Sequence, residues 1–136
     1  MTTIFLDTNI ILDIALERPI FFQHSSKIFE KLTEGRILCF LSATSIKDIY
    51  FLISKEKSKE IAKEFILDLV EIMQILAVDR NIVIHAVNSD FSDFEDSIQN
   101  SVADLNGIDW IITRNKKDFR QSRLQVLSPE EALERL

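Results

Sequence analysis

The stretch Thr3-Ile4-Phe5-Leu6-Asp7-Thr8-Asn9-Ile10-Ile11-Leu12-Asp13 decides the fold. Its opening run is apolar, too short for a helix, and stops abruptly at Asp7. Beyond Asp7 the apolar spacing becomes helical over residues 9–17, with Ile10, Ile11, Ile14 and Ala15 on one face. A short apolar strand leading straight into a helix is the opening of an α/β unit.

The same alternation continues to the end of the chain. A helix is expected over residues 22–34, with Ile28, Phe29 and Leu32 apolar and Gly35 as its stop. Residues 37–41 form a continuous apolar run, the pattern of a strand covered on both faces. Ser42 and Thr44 offer N-caps for a helix through about residue 53. Residues 56–73 are the longest periodic stretch, with Ile61, Phe65, Leu69 and Ile72 expected to point inward. Residues 74–78 read as a third strand, followed by a helix capped by Asp79 and reaching about Asn88. Asp93 caps the next helix, over residues 94–105, which Asn106-Gly107 ends. Residues 109–112 are a fourth strand, and a basic loop leads to a short strand over 124–127. Ser128-Pro129-Glu130-Glu131 combines a capping box with Pro at the first helical position, starting a terminal helix. The expectation is one domain over residues 1–136: α/β, three-layer α/β/α, with a central mostly parallel sheet of four to five strands.

Composition agrees. The 136 residues hold only two Gly and two Pro, which favours long helices with short connections. Cys39 is alone in an apolar run, so it reads as a buried inert thiol and the reducing cytoplasm as the natural compartment. No signal peptide is expected at the N-terminus, and no apolar run is long enough to span a membrane. The net charge of −6 argues against a general nucleic-acid-binding module, whose affinity would rest on Lys and Arg. It argues less against a carboxylate site whose bound cations reverse the local field.

Ligands of open parallel sheets bind beyond the carboxyl ends of the strands, which singles out a few residues. Strand one ends in Asp7-Thr8-Asn9. Strand two ends in Ser42-Ala43-Thr44, with Asp48 one turn on. Strand four ends in Thr113-Arg114-Asn115, with Asp118 shortly after, and the helix before it begins Asp93-Phe94-Glu95-Asp96. Such acids gather where cations neutralise them, and oxygen donors without His or Cys suit Mg²⁺ or Mn²⁺. Asp7 reads equally as a ligand or a helix cap, and Asp48 reads first as a solvated helix residue. Asp93 and Glu95 read as cap and exposed first-turn acid, whereas capping does not explain Asp96. Asp13 reads as a surface or N-terminal-helix polar residue, and His24 and His85 as isolated. Phe29, Ile49, Tyr50, Phe51, Phe65 and Ile66 exceed what one side of a small sheet can cover, and a homodimer is expected.

Residues 5–13 resemble the opening motif of the PIN domain family, and residues 93–99 and 109–119 its C-terminal half in the same order. The tail Val126-Leu127-Ser128-Pro129-Glu130-Glu131 is similar to that of many bacterial members. The resemblance implies cleavage of single-stranded RNA by acids holding one or two Mg²⁺ or Mn²⁺ ions. It also implies kinship with VapC-like toxins, which pair with an antitoxin protein and commonly form homodimers. Carried over by position, Asp7 and Asp96 match the first and third acids. Asp48 stands at the second, where relatives usually have Glu, and the amide Asn115 at the fourth, with Asp118 as a further oxygen donor. The metal ligands implied are therefore Asp7, Asp48, Asp96, Asn115 and Asp118, the first three catalytic. Asn9 and Thr113 are implied to hold Asp7 or orient phosphate. Arg114, Lys116 and Lys117 are expected to guide RNA. Two other readings compete: an inactive PIN-fold scaffold, and a phosphatase-like enzyme, which would want Asp where position 9 is Asn.

Overall fold

The computed structural model describes residues 1–136. β1 (Thr2–Leu6) is followed by α1 (Thr8–Ala15), α2 (Phe21–Thr33), β2 (Ile37–Ser42), α3 (Ala43–Glu56), α4 (Lys59–Ile72) and β3 (Gln74–Leu76). Next come α5 (Arg80–Val87), α6 (Phe94–Leu105), β4 (Trp110–Ile112), a 3-10 turn (Lys116–Phe119), β5 (Gln125–Leu127) and α7 (Pro129–Arg135). The strands form one sheet in the order β3-β2-β1-β4-β5, every pair parallel. β1 lies at its centre, so its side chains are covered on both faces. Ile4 and Leu6 enter the larger core with α1 to α4 and α7, while Phe5 points into a smaller one built on α5, α6 and the 3-10 turn. This is the expected three-layer arrangement, with the sheet wholly parallel. No helix is long and apolar enough to cross a membrane.

The caps read from the sequence form. Ser42 accepts from Thr44 N, Asp79 from Ile82 N and Asp93 from Asp96 N, and Ser128 and Glu131 make the reciprocal capping box. Gly35 and Gly107, after α2 and α6, have φ of +74° and +66°, the left-handed conformation that ends a helix. Cys39 is a free buried thiol, pushed up to about 12 by burial, and so inert as expected.

Several packing expectations need correction. In α4 the buried residues are Ala62 and Leu69, with Phe65 partly covered, while Ile61 and Ile72 are exposed. The small Ala62 lets α3 and α4 approach as a hairpin, which turns the inward stripe away from Ile61. Leu38 in β2 is also exposed. Of the six residues expected to form an apolar patch, Ile49 is core and Phe29, Tyr50, Phe65 and Ile66 pack against it. Only Phe51 projects, at 65% exposure; Leu67 and Val70 on α4 are exposed as well. Asp13 is not a surface residue: it is fully buried. It receives a two-pronged ion pair from Arg114 (Nε–Oδ2 2.8 Å, Nη2–Oδ1 3.0 Å) and a longer contact from Arg18 (3.4 Å). The Arg114 guanidinium also lies 4.0 Å above the Phe21 ring. These contacts clamp the α1–α2 connection, where Glu17 and Ile20 carry strained φ of +48° and +74°.

Candidate active site

Asp7 precedes the first turn of α1, yet its side chain makes no capping bond to that helix. Its backbone N–H instead extends the sheet by donating to Ile112 O at 3.0 Å, and its carboxylate is turned across the strand ends. There Thr113 Oγ1 donates to Oδ2 at 2.8 Å and Gln99 Nε2 to Oδ1 at 3.2 Å. Thr113 is itself held by Asn115 N–H, which donates to its Oγ1 at 3.0 Å. The helix-cap reading of Asp7 therefore fails. At 5% exposure its carboxyl is raised above the ordinary range by burial, opposed by the bonds from Thr113 and Gln99.

Asp7, Asn9, Asp48, Glu95, Asp96 and Gln99 line one concavity of about 190 Å³. α1, α3 and α6 each deliver residues to it from their first turns or soon after, because all three begin on the same edge of the sheet. The Glu95 carboxyl is pushed up to about 7, first by its hydrogen bond with Asp48, then by burial and the charges of Asp48, Asp93 and Asp96. Two carboxyls can bond only through a proton, and the raised Glu95 carboxyl is the one that carries it toward Asp48. Asp96 is also pushed up to about 7, by burial and then by the charges of Asp93, Asp7 and Asp118. The opening of α6 thus concentrates mutually repelling acids.

This crowding has a measurable consequence. Glu95 and Asp96 bind protons more tightly in the folded chain than in the unfolded one, where they titrate at 4.5 and 3.8. Their contribution to stability is therefore full below those values and lost as pH rises through about 7. Glu131, held down to about 2 by Lys116, titrates outside this window. In EDTA, the protein is expected to melt at a higher temperature at about pH 5 than at about pH 8. A melting temperature that rises with pH over that range would show that the acids do not repel one another as described.

A larger concavity, of about 460 Å³, lies elsewhere, between α5 and α6. Size does not decide between them: only the smaller one gathers mutually repelling carboxyls around a buried one, Asp7, at the strand ends.

A family model described as PIN domain matches residues 3–117. The chain belongs to the PIN domain family. The curated relative ribonuclease VapC1 of Aquifex aeolicus is 28% identical over 137 residues, covering 97% of this chain and 94% of the relative. Among solved structures, VapBC2 of Rickettsia felis bound to a promoter DNA fragment superposes with a TM-score of 0.73 at 16% identity, covering 93% of this chain and 98% of that one. Mycobacterium tuberculosis VapC20, described as a toxin cleaving the sarcin-ricin loop, superposes with a TM-score of 0.64 at 14% identity, covering 79% and 86%. These structures share the PIN fold with this chain.

Of the residues expected from the PIN resemblance, Asp7, Asp48, Asp96 and Asn9 share the acidic concavity. Thr113 holds Asp7 directly, whereas Asn9 does not; its Oδ1 accepts from Arg18 Nη1 at 3.1 Å. Asn115 and Asp118 do not line it. Asp118 stands beside it, in an adjoining hollow with Asp90, Phe91, Ser92, Lys117, Arg120 and Gln121, close enough for its charge to bear on Asp96. The basic loop is less free than its sequence suggests. Arg114 is spent on buried Asp13, Lys116 on Glu131 (2.8 Å) and Arg123 on Asp104 (2.8 Å), which leaves Lys117 and Arg120 facing the hollow. Glu95 and Gln99 are the site residues that sequence reasoning missed. Both were legible in principle, since Glu95 and Gln99 are four apart and Asp96 and Gln99 three, sharing a helix face.

Proposed function

We propose that this chain is a metal-dependent endoribonuclease that hydrolyses phosphodiester bonds of single-stranded RNA, as the toxin of a toxin–antitoxin pair. The observation that carries this reading is the concavity joining Asp7, Asp48, Glu95 and Asp96, in which burial raises the Asp7 carboxyl and neighbouring acids together with burial raise Glu95 and Asp96. The curated ribonuclease relative and the toxin–antitoxin neighbours support it.

The residues fit Mg²⁺ or Mn²⁺. The donors are all hard oxygens, and the buried Gln99 Oε1, with no hydrogen-bond partner, is free to accept from a water beside the ion. No three carboxylates stand together as a finished cage, which is how repelling acids settle without a cation between them. Asp7 and Asp96 would hold the ion, and Asp48 with Glu95 would complete its oxygens or orient the attacking water. A bound ion supplies an acidified water and a polarised scissile phosphate. Thr113 and Gln99 keep both Asp7 oxygens aimed at one point, which removes reorganisation from the reaction. Asp118 bears on Asp96 through its charge, whereas Asn115 acts through its backbone N–H to Thr113. Lys117 and Arg120 would steer phosphates, so substrate affinity should fall as salt rises.

Exposed Phe51, Leu67 and Val70 on the α3–α4 hairpin offer the apolar surface for a homodimer or an antitoxin helix. The cytoplasm, where RNA and an antitoxin would meet it, is the compartment we assign. The decisive assay is cleavage of a mixed-sequence RNA panel with and without Mn²⁺. Cleavage is expected with the metal, and none in EDTA or with Asp96→Ala. Absence of cleavage together with absence of Mn²⁺ binding by calorimetry would transfer the protein to the inactive-scaffold reading. Light scattering is expected to give a dimer, and a mass of 15.8 kDa would reject that part.

A further inference from the structure

The larger concavity, between α5 and α6, is polar on nearly every side: His85, Asn88, Ser89, Asn100, Asp104, Gln121 and Arg123 line it, with Phe91 as its one apolar wall. Its floor holds an anomaly. Asn100 is 4% exposed, and its Oδ1 is buried with no hydrogen-bond partner. A buried polar atom left unpaired is costly, and it is retained where a ligand or water completes it.

The charges in the concavity are already matched. Asp104 accepts from Arg123 Nη2 at 2.8 Å and Nε at 3.3 Å, and His85 Nε2 lies 3.8 Å from it. His85 Nδ1 is bonded to Ser101 Oγ at 2.7 Å. Neither a phosphate nor a metal ion finds an uncompensated partner there except Asp90. What remains is neutral amide chemistry from Asn88, Asn100 and Gln121, beside an aromatic ring and a guanidinium plane. Amides read the edges of nucleobases, and flat groups stack on their faces. A volume of about 460 Å³ is ample for one base with its ribose.

Position strengthens this. Asp96, Asn100 and Asp104 follow one another at four-residue intervals along one face of α6, so the concavity lies roughly 6 to 12 Å along the helix from the acidic site. The hollow holding Lys117, Asp118 and Arg120 shares Asp90, Phe91 and Gln121 with it, and Asp118 is close enough for its charge to bear on Asp96, so two free cations stand between the concavity and the acids. We infer that this α5–α6 concavity holds an unstacked base of the RNA strand, a few nucleotides from the phosphate being cut. This rests on the ribonuclease reading above.

The test uses the full chain in EDTA, where any binding is independent of metal at the acidic site. Each of the four ribonucleosides is titrated while the side-chain amide resonance of Asn100 is followed by NMR. At least one nucleoside is expected to shift it, and Asn100→Leu and Gln121→Ala to weaken binding about tenfold. Both variants are then expected to raise KM for RNA in Mn²⁺ by a similar factor with kcat unchanged. Gln121 is exposed, so its variant separates binding from any folding defect at Asn100. No shift with any nucleoside, or nucleoside binding with an unchanged KM in both variants, would overturn the inference. Active cleavage without nucleoside binding would remove this subsite and leave the ribonuclease reading standing. Nucleoside binding by a chain that cleaves nothing would remove both the ribonuclease reading and the assignment to its strand.

Discussion

Asp7→Asn is expected to reduce RNA cleavage at least about 10³-fold, equivalent to about 4 kcal/mol of transition-state stabilisation, while the protein in EDTA stays folded and melts no lower than the parent. The two halves of this expectation have one cause. Asp7 is almost wholly buried beside Asp96, so its charge is unfavourable until a cation compensates it. Asn keeps the shape and one acceptor for Thr113 or Gln99 but carries no charge with which to hold a cation. Thr113→Val removes one of the two donors that aim Asp7 and should cost less, about 10- to 100-fold, because the carboxylate itself remains. Single-turnover cleavage and melts in EDTA measure both. A variant Asp7→Asn that unfolds would make Asp7 a structural residue and remove the basis of the site.

The second large effect falls on stability. Arg114→Ala is expected to destabilise the fold by about 3 kcal/mol, because it strands the fully buried Asp13 with only the longer contact from Arg18. The double variant Asp13→Asn/Arg114→Ala should recover part of that loss, since it removes the unpaired buried charge. Urea unfolding of the three proteins measures the cycle. If Arg114 served RNA instead, its removal would raise KM and leave the unfolding midpoint where it was. This prediction replaces the RNA-guiding role that the basic loop suggests in sequence.

Arg114 and Asp13 show where sequence reading stops. Every strand was legible because an apolar run between punctuating residues has few alternatives, and caps such as Ser42, Asp79, Asp93 and Ser128 depend on neighbours within a few residues. The placement of Asp7, Asp48 and Asp96 on one edge followed from the strand-end rule. Asp13 looked superficial because its partner stands 101 residues away, and no local pattern marks a buried ion pair. Gln99 was invisible for the same reason, as its bond to Asp7 spans 92 residues. Glu95 was discounted because an acid in the first turn of a helix is ordinary there. Only the approach of α3, carrying Asp48, changes its meaning.

The place of β1 in the middle of the sheet also has a bearing on biosynthesis. Its first neighbour, β2, follows soon after, but β4 arrives only at Trp110–Ile112, and Thr113 reaches Asp7 across 106 residues. At translation speeds of roughly 5–20 residues per second, a ribosome needs on the order of 5–20 s to make that interval. During it Asp7 waits first for Asp96, then for Gln99 and last for Thr113, so the carboxylate cluster stays unassembled. On the ribonuclease reading, such a chain cannot act on RNA, its own message included, until α6 and β4 have both been decoded.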